Sequence, residues 1–134
     1  MTIPGRDLNQ LLAKMTPRLD PEPYVFVTIP KGAGLPDATP LMTFQEDEGL
    51  TLILREADAA GLRSDFPCRR ITLTVHSALD AVGFLAAVTA CLTSAGISTN
   101  AVAAFHHDHL FVPAARAEDV MAALLGMADA ARLG

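Results

Sequence analysis

The run Val75-His76-Ser77-Ala78-Leu79-Asp80-Ala81-Val82-Gly83-Phe84 governs how this chain is read. It continues an alternating stretch, residues 70–76, in which Ile71, Leu73 and Val75 interleave with Thr72, Thr74 and His76. Period two is the signature of a half-buried strand. It leads into Phe84, Val88, Cys91, Leu92 and Ala95, which share one helical face, with Gly96 as the stop. A strand, a short loop of polar and small residues, and a helix therefore meet here. Backbone N–H groups at a helix N-terminus carry partial positive charge and can hold a carboxylate or another anion without a catalytic side chain. The junction favours a small-ligand site over an enzyme centre.

Downstream, residues 97–105 return as a strand, His106-His107-Asp108-His109 form a turn, and Leu110-Phe111-Val112 make a short strand. Pro113 opens the approach to a last helix that buries Ala117, Val120, Met121, Leu124 and Ala128. Upstream, Asp7 caps a helix with Gln10 three residues on and an apolar stripe of Leu8, Leu11, Leu12 and Met15, stopped by Pro17. Pro21-Glu22-Pro23 reads as a stiff connector and residues 24–29 as a strand of strong β-propensity. Residues 30–40, rich in Gly and Pro, form a loop. Residues 41–45 and 50–54 read as strands joined through Glu46-Asp47-Glu48-Gly49, where Gly49 supplies a positive φ. A short helix over residues 56–60 stops at Gly61, and residues 62–69 link the halves.

The chain has 134 residues, 51% of them hydrophobic, so one domain or two very small lobes can bury a sizeable interior. There is no Trp and one Tyr, which leaves an aliphatic, Ala-rich core. A net charge of −5 with no basic stripe argues against nucleic acid as a partner. No apolar run is long enough to span a bilayer, and Met1-Thr2-Ile3-Pro4-Gly5-Arg6-Asp7 has no signal-peptide core, so no membrane role is expected. Two cysteines, Cys68 in a loop and Cys91 on a helix core face, are read as unpaired thiols of a cytoplasmic protein, with a disulfide left open.

The halves echo each other. Phe44-Gln45-Glu46-Asp47-Glu48-Gly49-Leu50-Thr51-Leu52 aligns with Phe105-His106-His107-Asp108-His109-Leu110-Phe111-Val112, one Gly being inserted. Each is a Phe-ended strand, a polar turn around Asp and an apolar return strand. The expected fold class is α+β, a ferredoxin-like sandwich built as a tandem degenerate repeat, with an antiparallel sheet and helices on one face. The second half supplies only three strands, so a fourth comes from the first half or from a partner chain.

Leu73-Thr74-Val75-His76-Ser77, Ala81-Val82-Gly83, Ala95-Gly96-Ile97-Ser98-Thr99-Asn100 and Asp108-His109-Leu110-Phe111-Val112-Pro113 resemble the ACT domain, a small regulatory module that binds amino acids and similar metabolites. The whole chain is similar to a stand-alone bacterial family with two ACT-like halves, and to the ACT pairs of aspartate kinases. The resemblance implies an N-terminal degenerate half over residues 1–66 and a C-terminal ACT domain over residues 67–134. It implies a ligand held between two units, its carboxylate on the backbone of Asp80, Ala81, Val82, Gly83 and Phe84. Ile97, Ser98, Thr99 and Asn100, often from the neighbouring unit, would contact its amino end. His76 and Ser77 stand where many members carry an acidic or small residue, so the ligand is not named by resemblance. A homodimer follows from the between-unit site, and output without an effector domain requires self-assembly or an unidentified protein partner. No catalytic residue and no cofactor are implied.

Other readings remain open beside these. Gly83 serves ligand approach or tight helix packing, and Asn100 a ligand or a neighbouring backbone. His106, His107, Asp108 and His109 suggest a metal, but side chains in a tight turn diverge, and solvation of the turn is the expected role. Ser77 beside His76 is the one local nucleophile–base pair, and strand neighbours point to opposite faces. The alternative function is a protein-interaction module with this fold and no ligand.

Overall fold

Asp7 starts the first helix as its spacing predicts: its carboxylate accepts the Gln10 N–H at 2.9 Å and caps α1 (Leu8–Lys14). In the computed structural model, which describes residues 4–134, the chain continues through β1 (Thr16–Pro30), β2 (Met42–Glu46), β3 (Gly49–Arg55), β4 (Ser64–Thr74), α2 (Phe84–Ser94), β5 (Asn100–Ala103), β6 (Asp108–Pro113) and α3 (Ala117–Leu133). Residues 1–3, the start of the segment searched for a leader, lie outside the described part. No helix among the described residues is long and apolar enough to cross a membrane.

The six strands form one antiparallel sheet in the order β2-β3-β1-β4-β6-β5. This order is its own mirror: β1, β2 and β3 correspond to β4, β5 and β6, with β1 and β4 paired at the centre. The repeat seen in the sequence is therefore two hairpins, β2–β3 and β5–β6, on opposite flanks. Where the second half has α2 the first has the loop of residues 31–41, and where it has α3 the first has a 3-10 turn, Glu56–Asp58. Gly49 is required because a Cβ there would meet the Ile29 carbonyl oxygen at 2.5 Å; close approach of backbone, beyond its turn conformation, excludes other residues.

Four sequence readings need correction. Pro21-Glu22-Pro23 is not a connector, and residues 62–69 are not a linker: β1 runs through the first and β4 occupies most of the second. Residues 97–105 form a strand only over Asn100–Ala103. Cys68 lies in β4, fully buried, its thiol donating to the Tyr24 carbonyl at 3.3 Å, and burial pushes its pKa up to about 12. Both cysteines are free. The missing fourth strand of the second half is supplied by the first: Thr16 to Leu19 pair with Thr74 to Ile71.

All three helices cover one face of that C-terminal region. Leu11 and Met15 of α1 join Phe84, Val88 and Leu92 of α2 and Val120 and Leu124 of α3 over Ile71, Leu73, Leu110 and Val112. Full burial of each such side chain contributes roughly 1.5–3 kcal/mol. On the other face the sheet curls, bringing Phe111 of β6 within 5.8 Å of Phe26 of β1, around Tyr24, Ile53 and Cys68.

The β1–β4 register breaks between Leu19↔Ile71 and Pro23↔Arg69, so residues 20–22 of β1 oppose residue 70 alone. Prolines 21 and 23 have no N–H to leave unpaired in this bulge. Asp20 locks it. Its carboxylate accepts from Glu22 N–H at 2.9 Å, Tyr24 hydroxyl at 2.9 Å and Arg70 Nη2 at 2.8 Å. Its carbonyl accepts from Arg69 Nε and Nη2 at 3.0 and 2.9 Å. Burial pushes the Asp20 carboxyl up, but these three donors together outweigh it and hold it below its ordinary value. Asp20→Asn should cost about 2 kcal/mol in chemical denaturation at neutral pH, because Arg70 loses its anion in a mostly buried setting. A lowered carboxylate stabilises above its unfolded value, so the gap between variant and wild type should close as pH falls below about 4.

Candidate functional site

The strand-to-helix junction singled out in the sequence is held open at the surface by the N-terminal segment. Gly5 N–H donates to the His76 carbonyl at 2.8 Å and Ala78 N–H donates to the Gly5 carbonyl at 2.9 Å, a one-rung parallel bridge that clips the loop to the start of the chain. Arg6 pairs with Asp80 at 2.9 Å, fully in solvent. Ala81 N–H closes a turn onto Ala78, and Gly83 then takes φ +91°, ψ −10° as the residue before α2. A Cβ at Gly83 would meet only Leu8 Cδ2, at an ordinary 3.8 Å. Glycine is needed there for its left-handed backbone, and tight packing does not explain it.

No side chain caps α2. Its first-turn amides, Phe84, Leu85 and Ala86, precede the first intrahelical bond, Ala87 N–H to Gly83 carbonyl. Beside them lies a cavity of about 170 Å³ lined by Ser77, Ala78, Leu79, Ala81, Phe84, Leu85, Ala103, Ala104 and Asp108. A cleft of about 270 Å³, with Pro4, Arg6, His76 and Phe105 on its walls, adjoins it through Ser77, Ala78 and Leu79. Leu79, Val82 and Phe105 stand exposed around this mouth.

Asp108 is a site residue that the turn reading missed. It begins β6 rather than capping a solvated turn, and it is 8% exposed. Its period-two partners Leu110 and Val112 face the helices, and that alternation is the signal that could have found it. Burial raises its carboxyl pKa, against smaller lowering by a 3.4 Å hydrogen bond from Ser77 Oγ and by His107. The start of α2 and a buried carboxylate thus line one cavity, and helix-start amides and a carboxylate carry opposite polarity.

The predicted residues divide into two places. Asp80 and Val82 are exposed, Ala81 and Gly83 half-buried, and Phe84 buried, all at the α2 N-terminus. Ile97 (buried), Ser98 (exposed), Thr99 and Asn100 follow the other end of α2. Eleven residues of helix separate the groups by roughly 16 Å, so one chain does not bring them together. Thr99 Oγ1 and His76 Nε2 are buried without a hydrogen-bond partner. His76, His106, His107 and His109 form a loose file with ring centres 5.6 to 6.5 Å apart. Among the described residues no three His, Cys, Asp or Glu side chains converge as metal ligands. Ser77 donates towards Asp108 rather than to an imidazole. A wider cleft, about 460 Å³, lies at the β2–β3 hairpin beside Lys31, Glu46 and Asp47, and no helix starts on its wall.

Two family models, each describing an ACT domain, match residues 4–69 and 65–125. The chain belongs to the ACT-domain family. A Vibrio cholerae protein of unknown function, described as a possible transport protein, is 43% identical over 90% of this chain and 95% of its own, with a TM-score of 0.80. An Agrobacterium tumefaciens protein is 18% identical over 85% of this chain and 89% of its own, with a TM-score of 0.73. The regulatory subunit of aspartate kinase from Thermus flavus is 13% identical over 84% of this chain and 97% of its own, with a TM-score of 0.60. No curated protein matches the sequence. The ACT fold places the uncapped helix start of the C-terminal unit beside the exposed edge strand β5.

The raised Asp108 carboxyl gives a test by linkage. Its stability contribution is full below the ordinary carboxylate range and is lost as pH rises through the raised value. Asp108→Asn should therefore melt higher than wild type at neutral pH, the difference vanishing below about pH 4. Equal melting temperatures across that range would mean that the carboxylate is solvated.

Proposed function

We propose that this ACT protein is a non-catalytic regulatory module that binds a small amino acid or related metabolite. One observation carries the reading: Phe84 and Leu85 of the uncapped α2 start and the buried Asp108 line one small cavity. A zwitterion matches both, its carboxylate on the Phe84 and Leu85 N–H groups and its ammonium on Asp108. Asp80, Ala81, Val82 and Gly83 shape the approach, and Phe84 and Leu79 supply apolar contact. Ser77 donates to Asp108 rather than to an imidazole, so the serine–histidine pairing of a nucleophilic enzyme is not formed.

Ile97, Ser98, Thr99 and Asn100 reach a ligand only from a second copy. The open β5 edge, with Asn100, Ala101 and Ala103 exposed, offers the main-chain groups for such pairing. The working unit is then a homodimer in the cytoplasm, its output a change in assembly or in contact with another protein. A second reading rests on Leu79, Val82 and Phe105: apolar side chains this exposed also suit a protein partner that closes the cavity without a ligand.

Thermal denaturation of dialysed protein against each of the twenty amino acids decides between them. At a hundredfold excess over Kd, binding stabilises by about 2.7 kcal/mol, a rise of several degrees. At least one amino acid should give that rise, and Asp108→Asn should abolish it while leaving the fold intact. No rise with any of the twenty would remove the amino-acid reading.

A further inference from the structure

We infer that the helix-free face of the sheet carries a separate binding site, for a phosphate-class oxyanion, framed by Arg18, Arg70, Thr72 and His109. The register builds it. Arg18 of β1 lies directly opposite Thr72 of β4, and Thr72 directly opposite His109 of β6. Opposed residues have Cβ atoms about 4.5–5.5 Å apart, so the three stand in one row across three strands. Arg70, two residues from Thr72, shares its face. A groove of about 290 Å³ runs along Arg18, Arg70 and Thr72, with Leu19, Asp20 and Pro21 also on its walls, and His109 borders it through Thr72.

The donors on this row are incompletely used. Among the described residues Arg18 makes no side-chain hydrogen bond or ion pair. Arg70 gives Nη2 to Asp20, while its Nε is buried with no partner. Thr72 Oγ and His109 Nδ1 meet at 3.0 Å, which leaves His109 Nε2 outside that bond. Asp20 cannot serve all the cations: its carboxylate already takes three donors, and Arg69 is spent on its carbonyl. Positive potential is left over. His109 is held below its ordinary pKa by burial first and then by Arg70, His107 and Arg18, and His107 by burial, His106, His76 and Arg18.

An oxyanion resolves this arrangement. Arg18 can take two of its oxygens as a fork, and a tetrahedral group has further oxygens for donors from the neighbouring strands. Two negative charges suit a row holding more guanidinium than carboxylate. The site lies on the opposite sheet face from the α2 cavity, so it stands or falls independently of amino-acid binding.

The test is a two-dimensional ¹H–¹⁵N titration of the full chain with inorganic phosphate at about pH 6.5, against sodium chloride of equal ionic strength. Saturable shifts should centre on Arg18, Arg70, Thr72 and His109 and leave the first turn of α2 unmoved. Arg18→Gln, an exposed position, should weaken the affinity about fivefold or more; His109→Gln should weaken it as well. Tighter binding of glycerol 3-phosphate than of phosphate assigns the site to an ester, and equal binding to the free ion; both uphold it. Shifts that chloride reproduces, or an Arg18→Gln variant with wild-type affinity, would overturn it.

Discussion

The clamp on Asp20 is the contact on which the two halves of this molecule depend. β1 is a single strand serving two sheets' worth of partners: its first residues complete the C-terminal unit against β4, and its later ones pair with β3. The two stretches cannot keep one register with β4, and the residues between them must leave the ladder. A bulge in a central strand takes polar backbone out of the ladder, and those groups must find other partners. Two prolines reduce the number of N–H groups to satisfy. Arg69 answers the carbonyl, and Glu22, Tyr24 and Arg70 answer the side chain. Sequence separation of about fifty residues between Asp20 and its arginines makes this clamp a tertiary device, formed only when β1 and β4 have met.

That explains what could be read in advance and what could not. Helices with an apolar stripe, and hairpins with a polar turn, are local patterns; α1, α2, α3, β2 and β3 follow from periods of 3.6 and 2 within their own residues. The repeat was legible because both hairpins keep their Phe and Asp. Pro21-Glu22-Pro23 and residues 62–69 were misread for one reason. Their polar residues are satisfied by each other across the sheet, and nothing near either segment in sequence reveals the partner. Phe66, at φ +61°, is part of the same irregular pairing and carries no turn residue to announce it.

The candidate site was legible by half. The α2 start was found from the strand–loop–helix pattern, whereas Asp108 was hidden among histidines that mimic a solvated turn. Its burial follows from a strand that begins two residues earlier than the apolar run suggests: β6 reads Asp108, Leu110, Val112 towards the helices and His109, Phe111 towards the other face. Period two therefore assigns a buried acid to one face of β6 and a base to the other. A slip of one residue would exchange them, and the pairing Leu73↔Asp108, Thr72↔His109 forbids it by burying Leu110 and Val112.

The pseudo-symmetry of the sheet raises the question of a matching site in the first half, and the local chemistry answers it. The counterpart of the α2 cavity is the wider cleft at the β2–β3 hairpin, where the loop of residues 31–41 replaces a helix. Without a helix there is no row of unpaired amides, and Glu46 and Asp47 on its wall repel a carboxylate. The helix that this half does possess, α1, was given to the other half's core through Leu11 and Met15. Among the described residues the first half therefore has no like-built counterpart of the α2 cavity.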